Sequence, residues 1–355
     1  MRFGYTTGAC AAAAAKAACL ALVGEVPEVV RITLPAGETA RMRVDELEVD
    51  GRKARACVLK DAGDDPDVTH GVKVCAEVRL TGGREVVIRG GEGVGVVTKE
   101  GLDIPVGEPA ITPVPKRMIE QAVREVLKEG AEVTVSIPGG EELASRTMNP
   151  RLGIAGGLSV LGTTGIVVPW SESALVRSLE KQVDVALAAG FRELVLAPGR
   201  LGERYALSRG VPEDAVVQCG NYVGYMLERC ADAGAEAVVV CGHAGKLVKL
   251  ASGIFCTHSR VADARIETLT AHVAWAGAER EVLKELRECA TVEEAVELLL
   301  DSGLQGALEA VAEAAARRCS EFAGIRVGVV MLNRRLKPVS ADPRAGEMKW
   351  GRCLL

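Results

Sequence analysis

Two lysines stand just beyond a predicted buried strand. The apolar run 237–241 leads to Gly242, and Lys246 and Lys249 follow three residues apart, which places them on one helix face. The segment imitates a phosphate loop, but only two residues separate Gly242 from Gly245 where that loop has four, and leucine replaces its magnesium-binding hydroxyl residue. We therefore expect these lysines, near a helix N-terminus, to receive carboxylates. The alternative is a solvated helix face, where lysines usually lie.

The second cluster of chemically active residues is acidic. It consists of Asp61, Asp64, Asp65 and Asp67, with His70 three residues further on. The spacing is not that of a calcium-binding EF-hand loop. Three interpretations stay open: a solvated turn in which the aspartates bond to nearby backbone, a set of active-site acids, or a site for a hard metal ion.

The segment 149–170 is rich in glycine. It holds five glycines between positions 153 and 165 and no charged side chain between positions 152 and 168. Because glycine has no Cβ and tolerates positive φ, such a segment can bring backbone N–H groups close to a ligand. The alternative is a tight buried turn between packed strands.

A third backbone feature lies near the N-terminus. Thr6, Thr7 and Gly8 precede an alanine-rich stretch at 9–22 with high helix propensity. A threonine there can cap the helix, and the small side chains let an anion or another part of the backbone approach closely. Both readings stay open.

The composition excludes several classes of protein. With 355 residues, a net charge of −5 and 3% aromatic residues, the chain is not a broad nucleic-acid binder, and its core is built from small aliphatic side chains. No apolar run reaches the roughly 18 residues that span a bilayer. Arg2 and Lys16 argue against a secretory signal at the N-terminus.

Cysteine and histidine spacing favours neither metal binding nor disulfides. The eleven cysteines form no C-x-x-C pair, and the four histidines form no H-E-x-x-H motif. We predict no protein-bound metal, unpaired buried thiols, and a reducing, cytoplasmic setting.

The first half of the chain reads as α+β. A helix is predicted at 9–22, strands at 29–34, 40–49 and 72–80, and a helix at 115–129 that starts at a proline and stops at a glycine. The run Gly91–Gly95 follows a strand, but a further strand and not a helix comes next, so a nucleotide fingerprint is ruled out in favour of a hairpin or bulge.

In the second half strands and helices alternate. Strands are predicted at 194–197, 215–218, 237–241 and 326–332, with helices at 171–189, 291–300 and 304–322 among the segments between them. This alternation predicts a parallel sheet covered on both faces. The fold class expected is therefore α/β and α+β in two domains: a two-layer α+β domain at 1–130, a three-layer, Rossmann-like α/β/α domain at 131–335, and a tail at 336–355 packed on it or extending from it.

Ligands of parallel sheets bind beyond the carboxyl ends of the strands. In this chain those ends are 197–199, the segment 219–222 with Asn221, and the segment 241–243 with His243. His258 and Ser259 close the stretch that follows the two lysines, where a lone histidine is more often structural than catalytic.

Several motifs together resemble the cobalt-precorrin-5B C1-methyltransferase family, CbiD. They occur in the order GYTTGACAAAAAKAA, DAGDDPDVTHG, GGEGVGVVTKEGL, GEPAITPVP, NPRLGIAGGLSVLGTTGIVVPWSE and GHAGKLVKLASG with THS. The resemblance covers nearly the whole chain and thins over roughly the last 75 residues. Cys256 and Thr112 stand where asparagine is usual in the family, and Lys116 where arginine is common. The thiol of Cys256 cannot replace both hydrogen-bonding functions of an amide.

The resemblance implies transfer of a methyl group from S-adenosylmethionine to ring carbon 1 of cobalt-precorrin-5B, giving cobalt-precorrin-6A in anaerobic cobalamin biosynthesis. Cobalt then belongs to the substrate. The usual methyltransferase signature, an acidic residue and a G-x-G-x-G run between strand and helix, does not occur in the second half, so the methyl donor would be held unconventionally.

The resemblance also moves our expectations for individual residues toward an active site. The acids expected to act in catalysis are Asp61, Asp64, Asp65 and His70. The residues expected at the methyl donor are Gly156, Gly157, Gly162, Thr163, Thr164, Gly165 and Asn221. The residues expected at the tetrapyrrole are Thr6, Thr7, Gly8, Gly242, His243, Lys246, Lys249, His258 and Ser259.

Expected partners are the tetrapyrrole and neighbouring enzymes of the pathway, and the chain is compatible with a homo-oligomer. The rival function is a carrier or scaffold that binds the same tetrapyrrole without chemistry. A phosphate-handling α/β enzyme is weakened by the absence of a phosphate loop and a dinucleotide fingerprint.

Overall fold

The computed structural model describes every residue from Met1 to Leu355. The chain forms two compact units, unit 1 at Met1–Ala174 and unit 2 at Leu175–Leu355. Several sheets and twelve α-helices confirm the expected mixed α/β class. None of the helices combines the length and the apolar character needed to cross a membrane.

Unit 1 is built around a five-stranded sheet. Its elements are β1 (Gly4–Tyr5), α1 (Thr7–Leu22), β2 (Val29–Thr33), β3 (Thr39–Arg43), β4 (Glu46–Asp50), β5 (Lys53–Leu59), β6 (Lys73–Leu80), β7 (Val86–Gly90), β8 (Val96–Val97), α2 (Pro113–Arg124), β9 (Ala131–Ser136), α3 (Gly140–Ala144), β10 (Ile154–Ala155) and β11 (Ile166–Val167). The sheet order is β4-β5-β6-β9-β7, and only the β7–β9 pair is parallel.

The alanine-rich helix α1 packs directly on this sheet. Nearly all of its residues are buried, and alanines such as Ala54, Ala56 and Ala76 on β5 and β6 belong to the same apolar cluster. Small side chains on both surfaces let helix and sheet approach closely, which is how a chain with few aromatic residues reaches native packing density.

The division between the units differs from our prediction of a boundary at residue 130. Strand β9 begins at Ala131 and pairs with both β6 and β7, so the segment after residue 130 completes the sheet of unit 1. The glycine-rich segment also belongs to unit 1, where β10 pairs with β8 and β11 pairs with β1.

The prediction that all cysteines are unpaired is wrong at one site. Cys57 on β5 and Cys75 on β6 lie directly opposite each other in the antiparallel register and form a disulfide. Spacing along the chain could not show this pairing, because it depends on the register between the two strands. The other nine cysteines are free.

Unit 2 contains a second five-stranded sheet. The elements are α4 (Glu172–Ala188, beginning at the end of unit 1), β12 (Glu193–Ala197), α5 (Arg200–Ser208), β13 (Val216–Gln218), α6 (Val223–Asp232), β14 (Ala237–His243), α7 (Ala244–Leu247), α8 (Arg265–Trp275), α9 (Arg280–Glu288), α10 (Val292–Asp301), α11 (Gln305–Ala323), β15 (Arg326–Leu332), β16 (Pro338–Ala341) and α12 (Lys349–Leu354). Short 3₁₀ turns lie at Glu213–Ala215, Val248–Ser252 and Pro343–Glu347.

The order of this second sheet fixes where a ligand can bind. The strands lie in the order β13-β12-β14-β15-β16, and all neighbours are parallel except β15 and β16. The chain leaves β12 to form β13 on one side and returns to form β14 on the other, so the connections diverge between the ends of β12 and β14. In parallel sheets this switch point opens a crevice at the carboxyl ends of the strands.

Alternate residues of the strands in unit 2 enter two apolar clusters. Leu194, Leu196 and Val238 belong to one, which also contains residues of α4, α6, α8, α10 and α11. Val195 and Val239 belong to the other, with residues of α5 and α12. Helices thus cover both faces, and the tail after residue 335 belongs to unit 2 through β16 and α12.

Candidate functional site

A cavity of about 430 Å³ opens at the carboxyl ends of the parallel strands in unit 2. Four cationic side chains and a single carboxylate line it, so we name it the basic cavity. Its lining residues are Asn221, His243, Gly245, Lys246, Lys249, Thr257, His258, Ser259, Arg265, Thr291, Val292, Glu293 and Arg334. The cavity brings together Asn221 and five of the nine residues predicted to bind the tetrapyrrole.

Lys246 lies at the switch point of the sheet. Its Nζ donates to the backbone oxygen of Pro198, just after β12, at 2.6 Å, and to Oδ1 of Asn221, after β13, at 3.0 Å. Burial, together with the nearby charge of Lys249, lowers the pKa of Lys246 below its ordinary value. The ammonium is therefore held by two neutral oxygens on neighbouring segments.

Lys249 is more deeply buried. The residue is only 2% exposed, and its Nζ donates to the backbone oxygens of Thr257 and Ala262 at 3.1 and 2.7 Å, respectively. Neither lysine forms an ion pair with a carboxylate. An ammonium has three donors, so each lysine keeps one hydrogen for a further acceptor.

The helix expected after Gly242 is much shorter than the prediction required. Helix α7 has four residues and passes directly into a 3₁₀ turn. A single turn has no appreciable dipole to offer an anion, so the expected attraction rests on the lysine side chains. Gly242 itself is a residue of β14 whose Cα faces Pro198, outside the cavity lining.

His243 is occupied by protein partners at both ring nitrogens. Nδ1 accepts a hydrogen bond from the N–H of Gly245 at 3.1 Å, and Nε2 lies 3.1 Å from Oε2 of Glu293. Because Nδ1 accepts, the proton of the neutral ring resides on Nε2 and is donated to Glu293. Glu293 also accepts from the N–H of Arg334 at 3.1 Å. His243 therefore fastens the cavity wall and has no free nitrogen for a ligand.

The rim of the cavity has freer polar groups. Nδ1 of His258 accepts from the N–H of Arg260 at 3.1 Å, which leaves its Nε2–H available, and Ser259 is exposed. Arg265 is paired through two hydrogen bonds with Asp263, whereas the exposed guanidinium of Arg334 has no carboxylate partner.

Sequence analysis missed seven lining residues, among them Thr291, Glu293, Arg265 and Arg334. Arg334 follows the end of β15 by two residues, so the rule that predicted the other strand ends would have found it as well. Thr291, Glu293 and Arg265 reach the cavity through helices, and no motif signals them.

The acidic loop, residues 61–71, lies in unit 1 and presents a different picture. Asp61 pairs with Arg2, and this hydrogen bond, with that from the N–H of Gly63, lowers the pKa of Asp61. Asp64 accepts from the N–H of Arg2 at 2.6 Å, and Asp65 accepts from the N–H of Trp170 at 2.9 Å.

Asp67 is the best-connected member of the acidic loop. It accepts from Nζ of Lys60 at 2.7 Å and from the N–H and hydroxyl of Thr69 at 2.8 and 2.7 Å. Burial by itself would raise the pKa of Asp67, but the hydrogen bonds from Lys60 and Thr69 outweigh it, and the pKa is lowered. Nδ1 of His70 accepts from the N–H of Ala62 at 3.1 Å. Each carboxylate and the histidine thus have a partner within unit 1.

The residues predicted at the N-terminus of α1 are engaged by the glycine-rich segment. Thr6 caps α1 by accepting from the N–H of Ala9 at 3.2 Å. The hydroxyl of Thr7 accepts from the N–H of Leu161 at 2.9 Å. The N–H of Gly8 donates to the backbone oxygen of Leu161 at 3.0 Å. The close approach that we allowed for is therefore made by the protein's own backbone.

Three of the glycines predicted at the methyl donor also meet the protein itself. A Cβ at Gly157 would lie 2.3 Å from the backbone oxygen of Gly93, one at Gly162 would lie 2.4 Å from the hydroxyl of Thr6, and one at Gly165 would meet Leu34 at 2.6 Å. The surroundings of Gly156 are open, and Thr163 and Thr164 are exposed. Internal packing thus accounts for the three glycines without a ligand.

The structure contains no group of three or more histidine, cysteine, aspartate or glutamate side chains arranged to hold a metal ion. The acidic loop is likewise satisfied by lysine, arginine and backbone N–H groups.

Comparison with known proteins identifies relatives over almost the entire length. Residues 1–169 match the family model described as CbiD, and residues 256–343 match that described as CbiD, C-terminal domain. A protein of Moorella thermoacetica named cobalt-precorrin-5B C(1)-methyltransferase is 48% identical over 99% of this chain and 98% of its own. A Thermus thermophilus protein of the same name is 51% identical over 86% of this chain and 83% of its own.

A solved structure of a cobalamin biosynthesis protein (CbiD) from Archaeoglobus fulgidus is also similar in sequence. It is 31% identical, and the match covers 75% of this chain and 84% of that one with a TM-score of 0.40.

Proposed function

The chain belongs to the CbiD family, and we propose on that premise that it is a cytoplasmic cobalt-precorrin-5B C(1)-methyltransferase. The reaction moves a methyl group from S-adenosylmethionine to ring carbon 1 of cobalt-precorrin-5B, giving cobalt-precorrin-6A in cobalamin biosynthesis. The observation that carries this proposal is the 48% identity to a protein of that name over 98% of its length. An alignment without large gaps at either end includes both units of the chain.

The basic cavity supports the substrate class. Corrin precursors carry acetate and propionate side chains, and this otherwise acidic protein presents Lys246 and Lys249 without carboxylate partners at the usual ligand position of a parallel sheet. An ammonium buried among neutral oxygens is stabilised when a carboxylate binds, because its charge is then compensated. His258 and Ser259 add donors at the rim.

The chemistry asks little of the protein beyond placement. A methyl group moves from a sulfonium to an electron-rich carbon in one in-line displacement, which requires neither a covalent nucleophile nor a protein metal. Holding the two reactants in line can provide up to about 7–11 kcal/mol of the barrier reduction. In this proposal Lys246 and Lys249 bind and orient the ring. The hydrogen bond between His243 and Glu293 fixes the cavity wall and so keeps the two lysines in place.

Several of the residues predicted at S-adenosylmethionine have a packing role within the protein. Gly157, Gly162 and Gly165 pack on the protein's own chain, and Asn221 is bonded to Lys246. We therefore derive no step of the reaction from them. A catalytic role for the acidic loop stays a prediction, and its hydrogen bonds supply a structural reason for the same residues.

The proposal is tested by incubating the protein with S-adenosylmethionine and cobalt-precorrin-5B and following the tetrapyrrole by mass spectrometry. We expect one added methyl group and an equal amount of S-adenosylhomocysteine. Tight binding of the tetrapyrrole without methylation, and without calorimetric binding of S-adenosylmethionine, would instead identify a carrier.

A further inference from the structure

The charges in the basic cavity permit a more specific statement about what enters it. Lys246, Lys249 and Arg334 have no carboxylate partner, whereas Arg265 is matched by Asp263. His243 and His258 each accept a hydrogen bond at Nδ1, so neither ring carries a positive charge in this arrangement.

Glu293 is the single carboxylate in the lining and offsets one of the three unmatched cations. The cavity is therefore short of two negative charges. Such a deficit in a half-buried site is best compensated by a ligand with the same number of negative charges, since charges are costly to bury unpaired.

The positions of the cations separate these two negative charges. Nζ of Lys246 is drawn onto Pro198 at the end of β12, whereas Arg334 follows β15. In the sheet, β14 stands between β12 and β15. Two strand spacings amount to about 10 Å, which is more than one carboxylate or one phosphate can bridge.

The volume of the cavity sets an upper limit on the size of the ligand. A cavity of about 430 Å³ lies toward the small end of the range of about 300–1,000 Å³ typical of small-molecule sites. It has room for one edge of a tetrapyrrole, and the rest of the macrocycle must lie outside.

We propose that the basic cavity is a dicarboxylate site that receives one pyrrole edge with its neighbouring acetate and propionate groups. Lys246 and Lys249 share one carboxylate, and Arg334 takes the other. This inference rests on the proposed function for the identity of the ligand, but the charge and spacing of the site are independent of it.

The test is a binding cycle with three small ligands: a monopyrrole with adjacent acetate and propionate groups, and its two singly methyl-esterified forms. Wild-type protein should bind the diacid at least about tenfold more tightly than either ester, because each ester removes a charge-assisted hydrogen bond. Lys246→Met should abolish discrimination against one ester, and Arg334→Gln should abolish discrimination against the other.

Three outcomes would overturn the inference. If both variants lose discrimination against the same ester, the site takes one carboxylate. If neither variant changes any affinity, the cavity is not the acid site. If inorganic phosphate competes as well as the diacid, the site takes a compact anion. Arg334 is exposed at the rim and only its backbone N–H has a hydrogen-bond partner. We therefore expect Arg334→Gln to keep its fold, and that arm remains decisive even if Lys246→Met proves unstable.

This cycle is independent of methyl transfer. Wild-type protein that methylates cobalt-precorrin-5B but shows no ester pattern would contradict only the dicarboxylate site. Protein that shows the ester pattern but no methylation would contradict the enzyme and leave the acid-binding cavity.

Discussion

The acidic loop of unit 1 and the basic cavity of unit 2 both concentrate charge, but they compensate it in opposite ways. Asp67 receives an ammonium and two hydrogen bonds from Thr69, all from its own unit. Lys246 and Lys249 donate hydrogen bonds only to neutral oxygens. Two carboxylates of the acidic loop form ion pairs and the other two accept backbone N–H groups of their own unit, whereas the basic cavity presents cations, the charge that a polycarboxylate substrate requires.

A similar contrast separates the glycine-rich segment of unit 1 from the strand ends of unit 2. The segment 149–170 uses its glycines to approach Gly93, Thr6 and Leu34 within unit 1. Substitutions in unit 1 should therefore reduce stability, whereas substitutions in the basic cavity should reduce ligand affinity.

The largest effect is expected for Gly157→Ala. The added Cβ would lie 2.3 Å from the backbone oxygen of Gly93 and 2.7 Å from the N atom of Gly95, and both of these atoms are hydrogen-bonded to the backbone of Leu158. We expect a loss of about 4 kcal/mol or more in unfolding free energy, measured by denaturant titration. Gly83→Ala, which has open surroundings in the same unit, is the control. A stable Gly157→Ala protein that no longer binds S-adenosylmethionine would contradict the packing role and indicate that Gly157 lies at the methyl-donor site.

Asp67→Asn should come next. Removing this carboxylate leaves Lys60, whose side chain is 2% exposed, without a counter-charge. Breaking such a pair costs about 3 kcal/mol, which thermal and chemical unfolding will detect, while the affinity for tetrapyrrole should be unchanged. A variant of wild-type stability with impaired methyl transfer would contradict the structural role.

The stability that Asp67 provides should also depend on pH. Its pKa is lower in the folded protein than the value near 3.9 of an unfolded chain. The contribution is therefore complete above about pH 4–5 and is lost as the pH falls through the folded pKa. The difference in unfolding free energy between wild type and Asp67→Asn should be constant near neutrality and should narrow in acid. A difference that grows in acid would contradict the assigned ion pair.

Lys246→Met tests the other side of the comparison. We expect tetrapyrrole affinity to fall by about 1.5–3 kcal/mol, the value of a charge-assisted hydrogen bond, with little change in stability or in affinity for S-adenosylmethionine. The control Lys181→Met, on helix α4, should change the tetrapyrrole affinity by only about 0–1 kcal/mol. If titration calorimetry finds the two variants alike, the lysines of the cavity do not bind the substrate.

The smallest effect is expected for Asp64→Asn. This exposed carboxylate accepts only the N–H of Arg2, so we expect a change of at most about 1 kcal/mol in stability and a near-normal rate of methyl transfer. A rate reduced by about a hundredfold in a fully stable variant would establish the acidic loop as catalytic.

The features predicted correctly from sequence are those set by local pattern. The helix predicted at 291–300, the buried strand before Gly242 and the alternation of strands and helices in unit 2 depend on residues near each other in the chain. The strand-end rule led from there to Lys246 and Asn221 without knowledge of the sheet order.

The features that were missed depend on register and long-range contact. The Cys57–Cys75 disulfide requires the pairing of β5 and β6, and the membership of Ala131–Ser136 in unit 1 requires its pairing with β6 and β7. The acidic loop was ambiguous for the same reason, since Arg2 and Trp170, which satisfy three of its carboxylates, lie far away in sequence.

The central claim, that the cations of the basic cavity in unit 2 and not the acidic loop of unit 1 receive the substrate, is tested most directly by amide hydrogen exchange. Exchange is followed by mass spectrometry with and without cobalt-precorrin-5B. We predict slower exchange at 243–262 and 333–335 when the tetrapyrrole is bound, with residues 61–71 unchanged. Protection confined to 61–71 or to 156–165, with 243–262 unchanged, would contradict the claim.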